Sequence, residues 1–233
     1  MNLPATSVLC SLSSDLWIQT WSGRAWPLCN PQASDVDWRD VAVSLGRLAR
    51  FNGHTGSFYS VATHCLYVAR LLEEAIGNPL IAARLLPRDD VAGLRAGLIV
   101  RALEAAGRCS ETARRLVLAG LLHDAHEAVI GDISTPVART LERLGGGDAL
   151  RRLKLQQDMA IYAAAGLAWP LPEGWQLAIA AADAVMLATE RRDLMAPAQR
   201  DWHAMPEPAP WRVRPEPEHR GADSFHARLM ELL

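Results

Sequence analysis

The stretch LLHDAHEAVIGDISTP, residues 121–136, places a group of ionisable side chains at the end of the apolar run LVLAGLL. The group consists of His123, Asp124, His126, Glu127 and Asp132. On a continuous helix, His123 and Glu127 share one face, and Asp124 lies about 100° round from His123. A His-Asp pair near a helix end is often a surface or capping feature, but charge within an apolar helix requires a partner. We therefore predict that His123 and Asp124 bind a metal ion.

Two other polar residues lie in apolar helical surroundings. His64 occurs in VATHCLYVA, where the alternative to a metal ligand is a core histidine with a hydrogen-bond partner. Asp183 occurs in AIAAADAVMLA, and the alternative there is a local hydrogen bond or an ion pair with a distant arginine. Imidazole and carboxylate together favour a divalent manganese, cobalt, iron or zinc ion, whereas magnesium prefers more oxygen ligands.

The pattern along the chain predicts an all-α bundle. Residues 1–37 contain three tryptophans among Ser, Gly, Pro and Asn, which favours an irregular lead with turns or short strands. Residues 38–195 carry the helical periodicity of a single domain. Residues 196–233 begin as a proline-rich arm, over the surface or a partner subunit, and end in a short helix from residue 223.

The individual helices follow from caps and breakers. Asp37 caps a first helix that should stop near Asn52-Gly53, and Ser60 caps a second that contains His64. A loop is expected from Gly77 to Asp90. The remaining helices are expected near Val91 to Ala106, from Ser110 to Gly131 through the His-Asp pair, from Ala149 to Ala165, and from Pro172 through Asp183.

Length and composition exclude several protein classes. The 233 residues suit one domain with extensions, and a net charge of -2 gives no basic field for DNA or RNA. The four cysteines follow no zinc-knuckle or disulfide spacing. Because no signal peptide or membrane-spanning run is evident, we expect a cytoplasmic protein without membrane or stable nucleic-acid partners, and a homo-oligomer is compatible with the sequence.

The pattern H…HD…D in helical surroundings resembles the HD-domain phosphohydrolase superfamily. Residues 123–136 resemble the HDxxExxxGDxxTP stretch of bacterial 5'-deoxynucleotidases and related nucleotide hydrolases. The segment RFNGHTGSFYSVATHC, residues 50–65, resembles the part that precedes and includes their first metal histidine. The resemblance covers roughly residues 38–192, and it implies an HD-domain helical bundle.

The resemblance also implies roles for individual residues. The metal ligands would be His64, His123, Asp124 and Asp183. Glu127 would hold or deprotonate the attacking water, and Asp132 would position water or a sugar hydroxyl. Arg50 would contact the phosphate and Phe51 the sugar. The nucleotidases have tryptophan at the position of Phe51, and the family often has a lysine after the TP pair, where this chain offers Arg139 as a phosphate contact.

The resemblance implies a nucleotide substrate and hydrolysis of a deoxynucleoside 5'-monophosphate. A triphosphohydrolase that releases tripolyphosphate from a deoxynucleoside triphosphate is the alternative, with Arg47, Arg139, Arg191 and Arg192 as candidate phosphate contacts. A non-catalytic nucleotide-sensing module is an alternative of another class, although Glu127 and all the ligands are present. A structural zinc site fits poorly, since such sites use thiolates and imidazoles. His126 is expected to face solvent or support a ligand, and its role as an additional metal ligand is the alternative.

Overall fold

A computed structural model describes residues 16–87, 93–202 and 204–233 and shows the predicted all-α architecture. The strands are β1 (Trp17–Gln19) and β2 (Ala25–Pro27). The helices are α1 (Trp38–Arg47), α2 (Val61–Gly77), α3 (Pro79–Ala82), α4 (Leu94–Arg108), α5 (Ser110–Leu121), α6 (Glu127–Ile130), α7 (Thr135–Arg143), α8 (Gly147–Ala164), α9 (Glu173–Leu194) and α10 (Glu218–Leu232). Short 3-10 turns cover Ala33–Asp35, Arg50–Gly53 and Ala83–Leu85.

Helix α2 forms the centre of the bundle. Its side chains Val61, Cys65, Val68, Leu71 and Leu72 are completely buried. Helices α1, α4, α5, α9 and α10 all pack against it. Burial on nearly every side explains why α2 has little polar surface, and it makes any ionisable side chain within α2 a feature that requires partners.

The structure confirms two helix starts that were predicted from their capping residues. The Asp37 carboxylate accepts hydrogen bonds from the backbone amides of Arg39 and Asp40, and the Ser60 hydroxyl accepts one from the amide of Thr63. Both caps satisfy amides that have no partner within the helix. The start of α2 is therefore fixed one turn before His64.

Several predicted boundaries were wrong. Helix α1 ends at Arg47 instead of near Asn52-Gly53, because Leu48 and Ala49 adopt extended backbone angles before the 3-10 turn that contains Phe51 and Asn52. The expected loop from Gly77 contains α3, which begins at Pro79, a residue favoured in the first helical turn. Helix α7 was not anticipated. The helix start that was predicted near Val91, before α4, lies outside the described residues.

The lead and the arm both join the helical body. Strands β1 and β2 form an antiparallel hairpin, and the Trp26 indole N–H donates to Gln157 of α8 over 2.8 Å. The extended segment before α10 lies on its own chain, where the Ala209 amide donates to the Thr189 hydroxyl. Phe225 of α10 is buried in the common core. Within the described ranges, no helix is both long and apolar enough to cross a membrane.

Candidate metal centre

Three separate parts of the fold bring the predicted metal ligands together. His64 comes from α2, Asp183 from α9, and His123 and Asp124 from the turn that follows α5. The Nε2 atom of His64 lies 3.3 Å from Nε2 of His123 and 3.1 Å from Oδ1 of Asp183. The Nε2 atom of His123 lies 3.1 Å from Oδ2 of Asp124. His64, His123 and Asp183 thus each place a ligand atom within 4.8 Å of the others, a spacing suited to a shared ion, and Asp124 adjoins both imidazoles.

The His-Asp pair lies in a tight turn, so the prediction of a continuous helix to Gly131 was wrong. Helix α5 ends at Leu121, and residues 122–126 form successive turns before α6. The Nδ1–H of His123 donates to the carbonyl of Gly120 over 2.8 Å, and the amide of Glu127 bonds to the carbonyl of Asp124 three residues back. In a continuing helix the Gly120 carbonyl would accept a hydrogen bond from the amide of Asp124. The His123 side chain bonds to this carbonyl instead, which favours the tighter turn geometry.

Buried hydrogen-bond partners fix the orientation of both histidines. Oε1 of Glu190 accepts from Nδ1–H of His64 over 2.6 Å and from the Tyr59 hydroxyl over 2.8 Å. His123 is held in the same way by the Gly120 carbonyl. A donor bond at Nδ1 leaves the lone pair of Nε2 directed at the site, which is the usual support of a metal-binding imidazole. The donor set and its supports fit a divalent transition-metal ion.

Arg50 neutralises the carboxylates of this site. Its guanidinium lies 3.6 Å from Asp124, 3.4 Å from Asp183 and 3.0 Å from Glu190. The Arg50 side chain is only 12% exposed, so these contacts occur in a poorly solvated region where charge attraction is strong. Arg50 therefore occupies the position next to the ligands that a phosphate contact requires.

Burial and neighbouring charges shift the pKa values in the site. Burial would raise the pKa of Asp124, but His123, His64 and Arg50 bring it well below its usual range. Burial, with repulsion from Asp124 and Asp132, raises the pKa of Glu127 to about 9. A carboxyl group with that pKa holds its proton at pH 7. A cation placed beside it would favour the carboxylate.

The expectation of a solvent-facing His126 was wrong. This histidine is only 6% exposed, and its Nδ1 lies 3.0 Å from Oδ1 of Asp158 on α8. The turn that places Asp124 towards His64 directs His126 into the protein. Asp124, His126 and Glu127 each offer one ligand atom within 4.8 Å of the others.

The other predicted residues take more peripheral positions. Phe51 is half-buried, and its ring lies under the guanidinium of Arg50, 5.5 Å from ring centroid to Cζ. Asp132 is half-buried and close enough to Asp124 for the two charges to interact. Arg139 lies exposed on α7. The roles of these residues in substrate binding stay predictions.

Comparison with known proteins places the chain in a family. No family model matches it. It is 31% identical over 227 residues to an uncharacterized protein of Rhodobacter capsulatus, an alignment that covers 93% of this chain and 95% of the relative. It is 30% identical over 178 residues to the uncharacterized protein YfdR of Escherichia coli, with 76% and 72% coverage. The chain belongs to the family of these two proteins.

Sequence reasoning missed several residues of the site in this family member. Glu190 lies on α9 seven residues after Asp183, hence on the same helical face, and this spacing could have identified it. Cys65 is completely buried with its sulfur within 4.8 Å of a ligand atom of His123, and its position next to His64 was the available signal. Tyr59 and Asp158 gave no signal, because their roles depend on helix packing.

Proposed function

We propose that this protein is a divalent-metal-dependent phosphohydrolase that converts a deoxynucleoside 5'-monophosphate into deoxynucleoside and phosphate. The supporting observation is the convergence of His64, His123, Asp124 and Asp183 with both imidazoles presenting Nε2. A closed structural zinc site would use thiolate and imidazole ligands, so the carboxylates here favour a catalytic ion. The resemblance to the nucleotidase motif supplies the substrate class.

Each residue has a defined task in this proposal. A bound divalent ion lowers the pKa of water and neutralises phosphate charge. The carboxylate of Glu127, close to Asp124, accepts the proton of the attacking water. The guanidinium of Arg50 has more N–H groups than its contacts with carboxylates use. The remaining N–H groups bind phosphate oxygens in this proposal. Asp132 orients the water or a sugar hydroxyl from the rim of the site.

The positions of two arginines favour a monophosphate over a triphosphate. Arg192 donates to the carbonyls of Ala209 and Trp211 and pairs with Asp193. Arg191 lies over the ring of Trp202 at 5.2 Å. The C-terminal segment thus engages two of the four arginines that could contact a triphosphate chain, and a single phosphate requires fewer cations.

A panel of nucleotides tests the substrate class. The purified protein is incubated with manganese and with ribo- and deoxyribonucleoside mono-, di- and triphosphates, and the products are identified by phosphorus NMR. We expect inorganic phosphate from deoxynucleoside monophosphates. Tripolyphosphate from a triphosphate would establish the alternative hydrolase. Nucleotide binding without any product would indicate a sensing module.

Phe51 is expected to control the choice of sugar. An aromatic ring held beside Arg50 leaves little space for a 2'-hydroxyl, and a hydroxyl forced there loses its hydration. Phe51→Ala is therefore expected to lower the ratio of kcat/KM for deoxyribonucleotides to kcat/KM for ribonucleotides by about tenfold. A buried hydroxyl without a hydrogen-bond partner costs roughly 1–3 kcal/mol, and the substitution removes this cost for ribonucleotides. The ratio is measured for matched monophosphate pairs.

Phe58 provides the control for that substitution. It lies on the same loop and is 38% exposed. Phe58→Ala is expected to keep the native ratio, and melting temperatures of both variants show whether folding is affected. An unchanged ratio in Phe51→Ala, with a lowered melting temperature, would make Phe51 a packing residue only.

A further inference from the structure

Two polar atoms next to the proposed metal centre are buried without a hydrogen-bond partner. They are Nε2 of His126 and Oε2 of Glu127, and no described residue bonds to either. The two residues are 6% and 5% exposed. A buried polar atom without a partner costs roughly 1–3 kcal/mol, so its presence at two adjacent residues calls for a ligand that satisfies both.

The orientation of His126 is that of a metal ligand. Asp158 lies 3.0 Å from Nδ1 of His126, where its carboxylate accepts the Nδ1–H. The lone pair of Nε2 is then available, as it is in His64 and His123. A carboxylate behind an imidazole fixes both the ring position and the tautomer for a cation on the other side.

Asp124 provides the third ligand. Its contacts with Arg50, His64 and His123 all involve Oδ2, which faces the first site. Oδ1 can then bind an ion on the other side. There, His126 and Glu127 each place a ligand atom within 4.8 Å of one of the Asp124 carboxylate oxygens. A carboxylate with its oxygens facing two ions is a common bridge in centres with two metals.

The local charge also favours a cation. The carboxyl groups of Asp124, Glu127 and Asp132 lie close enough to influence one another, and Arg50 and Lys154 are positive side chains that act on Glu127. Arg50 is already shared among other carboxylates. A divalent ion would balance the remaining negative charge.

We propose that Asp124, His126 and Glu127 form a second divalent-cation site that shares Asp124 with the first. One imidazole and two carboxylates select manganese, iron, cobalt or zinc. The inference rests on the proposed function, because Asp124 belongs to both sites. Paired ions roughly 3.5–4 Å apart act on both the attacking and the leaving oxygen of a phosphate ester. Glu127 binds through one oxygen and keeps the other for a proton.

Manganese stoichiometry and magnetism test the second site. The full chain is stripped of metal, equilibrated with manganese alone, and measured by elemental analysis and electron paramagnetic resonance. We expect two ions per native chain with the spectrum of an exchange-coupled pair. His126→Ala is expected to bind one ion with an uncoupled spectrum. Asp158→Asn keeps the imidazole and is expected to weaken the second ion by about 10- to 100-fold.

The exposed histidine of α10, His219, supplies the control, and His219→Ala is expected to keep two coupled ions. One uncoupled ion in both the native chain and His126→Ala would overturn the second site and leave the proposed function intact. Two ions in His126→Ala would also overturn it. A native chain that binds no manganese would overturn both proposals. If His126→Ala does not fold, an unchanged second-ion affinity in Asp158→Asn decides against the site.

Discussion

Replacing Asp183 with alanine is expected to abolish hydrolysis, with a fall in turnover of about 10³-fold or more. The Asp183 carboxylate lies 3.1 Å from Nε2 of His64 and connects α9 to the predicted ligands on α2 and in the turn after α5. Without this carboxylate the ion loses a charged ligand. A metal supplies several kcal/mol of transition-state stabilisation, and turnover falls about tenfold for each 1.4 kcal/mol that is lost. Steady-state phosphate release measures the effect.

The same substitution is expected to remove metal-dependent stability. An ion that binds only the folded chain stabilises it by about 2.7 kcal/mol at a free concentration 100 times its Kd. Manganese should therefore raise the melting temperature of the native protein and have little effect on Asp183→Ala. Asp148→Ala, on the exposed surface of α8, serves as the control and should keep both activity and the manganese response. Full activity in Asp183→Ala would exclude it as a ligand.

Glu127→Gln is expected to reduce turnover by about two to four orders of magnitude while the chain keeps the ion held by the two Nε2 atoms. Glutamine has the size of glutamate and cannot take a proton from water, so the change removes general-base catalysis. Glu127 is 5% exposed and places a carboxylate oxygen within 4.8 Å of a ligand atom of Asp124. Turnover and metal content are measured on the same preparation.

The matched control for that substitution is Glu142→Gln. Glu142 lies exposed on α7, where it pairs with Arg151 over 2.8 Å, and its loss should leave turnover unchanged. Normal turnover in Glu127→Gln would assign Glu127 a structural role. Complete loss of metal from that variant would instead make it a ligand that the first ion requires.

Local signals made much of the fold predictable. Asp37 and Ser60 start their helices through contacts within three residues, and the apolar periodicity of α2 and α9 marks them as buried. The break after Leu121 was not predictable in the same way. The run remains apolar through Leu122, and the competing bond from the His123 ring to the Gly120 carbonyl appears only in three dimensions.

The residues of the candidate site also differ in whether a local signal or a long-range contact identifies them. His123 and Asp124 were identifiable because they are adjacent and follow an apolar run. The bond between His64 and Glu190 joins residues 126 positions apart, and the bond between His126 and Asp158 joins helices whose packing no local pattern encodes. The predicted ligand types were therefore accessible from sequence, whereas the contacts that orient them depend on the packing of distant parts of the chain.

The most direct test of metal-dependent hydrolysis compares one preparation in three states: as purified, stripped of divalent ions by a chelator, and stripped then restored with manganese. Phosphate release from a deoxynucleoside monophosphate is measured in each state, with metal content and circular dichroism recorded in parallel. We expect activity to disappear on stripping and to return with manganese in proportion to the ion bound. A stripped, folded chain that retains the full rate would contradict the proposal.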